Sequence, residues 1–173
     1  GLGDVYKRQG DRFQRQQAYV PELLMAARAM KGSLELLKSH LKGEKTDTIG
    51  KIVIGTVFGD LHDIGKNLVA SMFEGCGFEV VNMGVNISAD KFVETVKIEK
   101  PDILCLSALL TTTMSYMKVV MDALEKEGLR DQVKVMVGGA PVNELFANQI
   151  GADGYSGNAN AAVIKAKELL CIA

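Results

Sequence analysis

Three short segments of the chain carry residue types that could bind a ligand. The first, residues 60–65 (DLHDIG), contains His62 with Asp60 two positions before it, and the other histidine of the chain lies in its N-terminal third. The second segment contains Ser107, and the third is the pair Gly138–Gly139. Each segment directly follows an apolar run. An imidazole, a carboxylate and a hydroxyl are typical of a polar binding site, and paired glycines leave space beside it.

Strands that alternate with helices are predicted to bring these segments together. The β-branched run at 51–57 (KIVIGTV) is typical of a strand buried on both faces of a parallel sheet. Further strands are predicted at 78–81, 103–106, 133–137 and 154–155. Helices are predicted at 64–75, 89–100, 141–150 and 160–172. A polar loop is predicted at Thr111–Thr113, and a further helix runs from its end to about residue 127. We therefore expect an α/β, Rossmann-like (flavodoxin-like) fold, with a five-stranded parallel sheet and helices on both faces. In the strand order 2-1-3-4-5, strands one, three and four are neighbours, so the three segments meet at one edge.

The chain before this domain has a different pattern. Residues 1–10 match no recognisable element and are left unassigned, as a candidate junction. Residues 11–43 are predicted to form a partial helical cap, and a polar linker at 44–50 leads to the α/β domain at 51–173. The apolar positions of the cap recur at heptad-like spacing: Leu23, Ala27, Met30, Leu34, Leu37 and Leu41. Because so few helices cannot bury this stripe alone, a homodimer that pairs through the cap is one expectation.

Composition and charge argue against several classes of protein. A net charge of −1 gives no electrostatic basis for binding nucleic acid or an anionic membrane. Tryptophan is absent and aromatic residues are 6% of the chain, which disfavours base stacking. No apolar run approaches the length of a membrane span, and no secretory signal pattern is seen. The three cysteines are not closely paired, so reduced thiols and a cytoplasmic protein are expected.

The common ligands of this fold class do not match the three segments. Phosphoryl receivers end strand three with an aspartate, where this chain has Ser107. A P-loop needs Ser or Thr after its lysine, but Asn67 follows Lys66. Dinucleotide-binding folds need a tight glycine triplet after strand one, which is missing. A zinc site would need further nitrogen or sulfur ligands near His62.

A different pattern does match. The motifs Asp60-x-His62-x-x-Gly65, Ser107-x-Leu109 and Gly138-Gly139, each at the end of its expected strand, resemble the signature of cobalamin-binding domains. Such domains occur in methionine synthase, the corrinoid methyltransferases and the B12-dependent mutases. The resemblance covers about residues 50–170.

The N-terminal stretch 19–30 (YVPELLMAARAM) resembles the last part of a helical cap. This cap is found in the free-standing corrinoid proteins of anaerobic one-carbon metabolism, which serve methanol, methylamine and betaine-type methyltransferases. The family cap contains more helices than residues 11–43 can form, so a truncated cap is expected.

The resemblance implies a role for each residue of the site. His62 would bind the cobalt of cobalamin, or of a related corrinoid, at its lower face, where it would displace the corrinoid's own nucleotide base. Asp60 would hold the second ring nitrogen of His62, Ser107 would extend this proton relay, and no residue would be catalytic. The displaced nucleotide tail would run in a slot floored by the glycines. The residues expected to bind the cofactor are Asp60, Leu61, His62, Asp63, Ile64, Gly65, Ser107, Leu109, Thr111, Thr112, Gly138, Gly139, Tyr155 and Gly157.

The resemblance also implies a function. We expect a corrinoid-binding methyl carrier that accepts a methyl group from a substrate:corrinoid methyltransferase, with the methylated cofactor as the intermediate. It would hand the methyl group to a second, acceptor methyltransferase, and a reductive activase is a further expected partner. Two alternatives stay open. One is the adenosylcobalamin-binding domain of a mutase or B12-dependent sensor, and the other is a cofactor-free flavodoxin-like interaction module.

Overall fold

A computed structural model of the chain describes residues 48–172, together with Arg12, Arg15, Met25, Ala29 and Gly32. The helical cap predicted at 11–43 therefore lies outside the described residues apart from isolated positions. The linker predicted at 44–50 is described only in its last three residues. The division of the chain into these segments stays a prediction.

Five strands alternate with helices in the described domain. The strands are β1 (Lys51–Thr56), β2 (Glu79–Asn82), β3 (Ile103–Ser107), β4 (Lys134–Gly138) and β5 (Gly154–Ser156). The helices are α1 (Ile64–Gly75), α2 (Ala89–Glu99), α3 (Thr111–Met114), α4 (Tyr116–Lys126), α5 (Glu144–Ile150) and α6 (Ala159–Leu169), and a 3₁₀ turn spans Arg130–Gln132. All strand pairs are parallel, in the order β2-β1-β3-β4-β5, which confirms the predicted sheet.

Both faces of the sheet are buried, as the β-branched strands indicated. Alternate side chains of β1 point to opposite faces, with Ile52 and Ile54 on one face and Val53 on the other. Helices α1 and α6 cover the first face, where Phe73 is fully buried. Helices α2, α4 and α5 cover the second face, where Phe92 is fully buried. The sheet is therefore a rigid middle layer that fixes the positions of the loops at its edge.

Two helix starts differ from the predictions by more than one residue. The helix predicted to open at Pro141 begins at Glu144, because the side chain of Asn143 caps it by accepting from the backbone nitrogen of Phe146 at 2.9 Å. The polar loop predicted at Thr111–Thr113 is instead the first part of α3. Because this segment is helical, the side chain of Thr113 points into the domain and is buried.

The carboxyl ends of β1, β3 and β4 lie side by side. Thr56 pairs with Ser107 in the β1–β3 register, and Ser107 pairs with Gly138 in the β3–β4 register. Backbone hydrogen bonds continue past the strands, from Val57 to Ser107 at 3.0 Å and from Ala108 to Gly138 at 3.2 Å. The three sequence segments therefore meet at one edge, as predicted.

Within residues 48–172 and the isolated described positions, every helix is too short or too polar to cross a lipid bilayer.

Candidate functional site

The carboxylate of Asp60 lies at the centre of this edge and is fully buried. Its Oδ1 accepts from the backbone nitrogen of His62 at 3.0 Å and contacts the Nδ1 of the same residue at 2.7 Å. Its Oδ2 accepts from the backbone nitrogen of Leu109 and from the hydroxyl of Thr113, both at 2.7 Å. Burial by itself would raise the pKa of Asp60, but these hydrogen bonds hold it well below its ordinary value. Asp60 is therefore an anion at neutral pH.

The imidazole of His62 has one nitrogen fixed and one available. Because the anionic Asp60 accepts at Nδ1, the proton of the neutral imidazole lies on that nitrogen, and Nε2 then carries the lone pair. The side chain is 51% exposed, so a ligand can reach it. The backbone is fixed as well, since the buried hydroxyl of Thr56 donates to the carbonyl oxygen of His62 at 3.0 Å. This arrangement suits a metal ligand whose orientation is set before the metal binds.

Backbone contacts hold the loop that carries Asp60 and His62. Gly59 adopts φ +82°, and its nitrogen donates to the side-chain oxygen of Asn86 at 2.8 Å. The nitrogen of Asn86 donates in turn to the carbonyl oxygen of Asp60 at 3.0 Å. The loop after β1 is thus tied to the segment after β2.

A buried lysine fixes the other side of the loop. The ammonium of Lys66 donates to the side-chain oxygens of Asn67 and Asn82, both at 2.7 Å. The amide of Asn67 donates to Asp63 at 2.9 Å, so the residue after His62 is included in the network. Burial lowers the pKa of Lys66, against the attraction of the nearby Asp63 carboxylate.

A cavity of about 680 Å³ opens beside His62 and runs between the sheet and helices α1 and α6. Its volume is in the range of pockets that bind small molecules and cofactors. Eleven residues predicted to bind a cofactor line it: Leu61, His62, Asp63, Ile64, Gly65, Ser107, Leu109, Gly138, Gly139, Tyr155 and Gly157. Their roles toward a ligand stay predictions, but the structure does bring them together.

Three residues of the predicted set do not line the cavity. Asp60 is buried beneath the loop, whereas Thr111 and Thr112 are exposed on α3. Within residues 48–172, the hydroxyl of Ser107 has no hydrogen-bond partner, and the hydroxyl that contacts Asp60 belongs to Thr113. The part assigned to Ser107 in a proton relay stays a prediction. The contact of Thr113 with Asp60 was not predicted, because it joins residues that lie 53 positions apart in the chain.

The backbone packs closely around the glycine pair at the end of β4, and the contact is closest at Gly139. Gly139 adopts φ +124°, and a Cβ at this position would lie 1.8 Å from the carbonyl oxygen of Ala108. A Cβ on Gly138 would lie 3.1 Å from the carbonyl oxygen of Ser156. These contacts let the loops after β3, β4 and β5 approach one another and keep the cavity floor free of side chains.

The mouth of the cavity is apolar. Three large hydrophobic side chains that line the cavity beside His62 are exposed: Leu61, Ile64 and Leu109. Such a concentration of exposed apolar groups around one polar side chain is typical of a binding surface. In the described part of the chain, no group of three or more His, Cys, Asp and Glu side chains could hold a metal ion.

Comparison with known protein families gives two matches. Residues 50–164 match the family described as B12 binding domain. Residues 1–38 match a second family with the same description, which includes the segment left unassigned at 1–10.

Individual proteins are similar over nearly the whole chain. The dimethylamine corrinoid protein 2 of Methanosarcina acetivorans is 44% identical over 171 residues, which are 98% of this chain and 79% of the relative. A cobalamin-binding protein from Desulfitobacterium hafniense has a similar structure, with a TM-score of 0.84 and 36% identity over 96% of this chain and 78% of that chain. The methanol:cobalamin methyltransferase complex MtaBC from Methanosarcina barkeri gives a TM-score of 0.86 and 31% identity, over 98% of this chain and 65% of that chain.

Proposed function

The chain belongs to the family of B12-binding corrinoid proteins, and from this premise we propose that it carries methyl groups on a bound corrinoid between two methyltransferases. The observation that carries the proposal is the geometry of His62. Its Nδ1 is held by a buried anion, and its Nε2 lone pair is available at the mouth of an apolar cavity. This geometry supports a single protein ligand to a metal that arrives within a larger cofactor.

The cavity fits the rest of such a cofactor. A bound corrinoid would supply a cobalt atom that takes up and releases a methyl group. The exposed apolar side chains at the mouth, among them Leu61, Ile64 and Leu109, would contact the macrocycle. The side-chain-free floor at Gly138 and Gly139 would lie along the nucleotide tail.

The residues beneath His62 would control its strength as a ligand. Because Asp60 stays ionised, it keeps the proton on Nδ1 and increases the electron density at Nε2. Uptake of a proton by the His62–Asp60 pair would weaken the ligand, and its loss would restore it. Thr113 and the backbone of Leu109 stabilise the anionic form of Asp60, and Ser107 remains a candidate for the same network.

We further propose that the methyl donor is a methylated amine. The proposal rests on relatives named for dimethylamine that are 44–46% identical to this chain. A substrate:corrinoid methyltransferase and an acceptor methyltransferase would bind in turn at the apolar mouth, because exposed apolar side chains there are typical of a binding surface. A reductive activase and pairing of two chains through residues 11–43 are additional proposals.

Reconstitution with cobalamin tests the central proposal. The protein labelled with ¹⁵N is loaded with cob(II)alamin, and the electron paramagnetic resonance spectrum is compared with that of unlabelled protein. Coordination by His62 predicts that the axial nitrogen splitting changes from triplets to doublets on labelling. It also predicts that His62→Ala removes this change, whereas His40→Ala, which removes the other histidine, retains it. The proposal is contradicted if the protein takes up no corrinoid, or if the nitrogen splitting is the same in labelled and unlabelled protein.

The donor is tested separately by methyl transfer. The loaded and reduced protein is incubated with dimethylamine or methanol and a methyltransferase specific for each substrate. Methylation of the cofactor is followed by visible absorption. Methylation from the amine but not from methanol supports the amine assignment, and the reverse result contradicts it without affecting the evidence for cobalt ligation.

A further inference from the structure

Lys66 is a buried cation to which the proposed coordination of cobalt assigns no part. The residue is 4% exposed, and both hydrogen-bond acceptors of its ammonium within residues 48–172 are neutral amide oxygens, those of Asn67 and Asn82. Burial lowers the pKa of the ammonium, so the charge is held there at a cost. A well-packed apolar side chain is often at least as stable as a buried charge. Stability alone therefore does not explain a lysine at this position.

The two amides that accept from Lys66 also bind each other and their neighbours. Asn82 is the last residue of β2, and its Nδ2 donates to Oδ1 of Asn67 at 3.0 Å. Its Oδ1 also accepts from the backbone nitrogen of Gly84 at 3.1 Å. Asn67 holds Asp63 twice, through its Nδ2 to the carboxylate at 2.9 Å and through its backbone nitrogen to the carbonyl oxygen at 2.7 Å. The network thus connects the end of β2 to Asp63, and such satisfied polar networks are rigid.

The network ends at the residue that directly follows His62. On its other side, the backbone of His62 is held by the hydroxyl of Thr56 and the carboxylate of Asp60. The loop that presents the imidazole is therefore fixed from β1 on one side and from β2 on the other. A ligand that is held in place before the metal arrives loses less freedom on binding, so its affinity is higher.

We propose that Lys66 is a positioning residue for the cobalt ligand. Through Asn67 and Asn82 it fixes the loop that presents His62, and it thereby strengthens the bond between the imidazole and the metal. The inference rests on the proposed function, because it takes His62 as the ligand of the cobalt. Lys66 also lines the cavity, so a direct contact with the cofactor is the alternative that the experiment has to separate.

A double-mutant cycle between Lys66 and His62 makes this separation. The affinity of the full chain for cob(II)alamin is measured by anaerobic visible titration in the unmodified protein, Lys66→Met, His62→Ala and the double variant. Lys66→Met should weaken binding about tenfold, as expected of a residue that orients a metal ligand from outside. In the His62→Ala background it should change binding by less than about twofold, because no imidazole is left to position. In ¹⁵N-labelled Lys66→Met, the electron paramagnetic resonance spectrum should show less cob(II)alamin with an axial protein nitrogen.

Variants of two other residues serve as controls. Lys51 is the first residue of β1, at the opposite end of the strand from His62, where its ammonium pairs with Glu79 and Glu99. Lys51→Met should change binding by less than about twofold in either background. Asn82→Asp keeps an acceptor for Lys66 and should retain the affinity within about threefold. Asn82→Leu removes this acceptor and should reproduce the loss, and it replaces Lys66→Met in the cycle if circular dichroism shows that variant to be unfolded.

The outcomes separate this inference from the proposed function. If the unmodified protein binds no cob(II)alamin, or if His62→Ala leaves both the affinity and the axial nitrogen signal unchanged, the proposed function is contradicted. If Lys66→Met weakens binding equally with and without His62, the lysine contacts the cofactor or acts on the whole fold, and the positioning role is overturned while ligation by His62 stands. The positioning role is also overturned if Lys66→Met weakens binding in neither background.

Discussion

The hydroxyl of Thr113 donates a hydrogen bond to Oδ2 of Asp60 across 2.7 Å, although the two residues lie 53 positions apart in the chain. This bond connects the start of α3 to the loop that carries His62. Together with the backbone nitrogen of Leu109, it satisfies the side of the carboxylate that faces away from the imidazole. The anion that orients His62 is therefore stabilised by the segment after β3.

Removing this hydroxyl should destabilise the domain. We expect Thr113→Val to lower the free energy of unfolding by about 1–2 kcal/mol, because it removes a buried hydrogen bond to a charged group with little change in shape. Thr112→Val is the matched control, since Thr112 is exposed on the same helix, and it should change stability by less than about 0.5 kcal/mol. Urea denaturation measures both, and equal effects of the two substitutions would contradict the assigned contact.

Replacing Asp60 by its amide should have a larger effect. In Asp60→Asn the charge is lost, and an NH₂ group must face either His62 or the two donors from Leu109 and Thr113. We expect a loss of about 2–4 kcal/mol in the free energy of unfolding. Asp63→Asn, at an exposed neighbour with one side-chain contact, should cost less than about 1 kcal/mol. Chemical denaturation of both variants gives the comparison, and similar losses would argue against Asp60 as the central anion.

The depressed pKa of Asp60 predicts the direction of a pH effect. The folded-state pKa lies below the unfolded value of about 4, so the stabilisation is complete above that value and is lost as pH falls through the folded pKa. The stability difference between the unmodified protein and Asp60→Asn should therefore narrow between about pH 5 and pH 3. Urea midpoints measured across that range test this, and a difference that stays constant would contradict the prediction.

The close packing at Gly139 predicts a severe effect of one added methyl group. Gly139→Ala combines φ +124° with a clash against the carbonyl oxygen of Ala108, and we expect a loss of about 3 kcal/mol or more. Gly151→Ala separates the two causes, because Gly151 has φ +79° but open space around its Cβ position. Its cost should be only about 1 kcal/mol. Thermal denaturation measures both, and similar losses would mean that backbone strain alone explains Gly139.

Most of the fold could be predicted from the sequence, because the patterns that indicate strands and helices extend over only a few residues. The run at 51–57 is apolar on both faces, which indicated a central strand before any contact was known. Helix α1 begins and ends at the predicted residues, and Ser88 caps α2 by accepting from the nitrogen of Lys91. The motif residues could be assigned to one edge because all parallel strands end there.

Prediction was weaker where the outcome depended on distant contacts. The three threonines at 111–113 are polar and were expected in a loop, but Thr113 is buried because the carboxylate of Asp60 lies within its reach. Lysine side chains are mostly exposed in folded proteins, yet that of Lys66 is buried and connects α1 to Asn82 at the end of β2.

The amino-acid sequence by itself determined the order of strands and helices, the edge at which the motifs meet and the residue that presents an imidazole there. Periodicity, capping and glycine placement act over a few residues, so they can be read along the chain. The tertiary structure alone decided which hydroxyl contacts Asp60 and which lysine fixes the loop. Those pairings join residues far apart in the chain, and their free energy exists only once the sheet has brought the ends of its strands together.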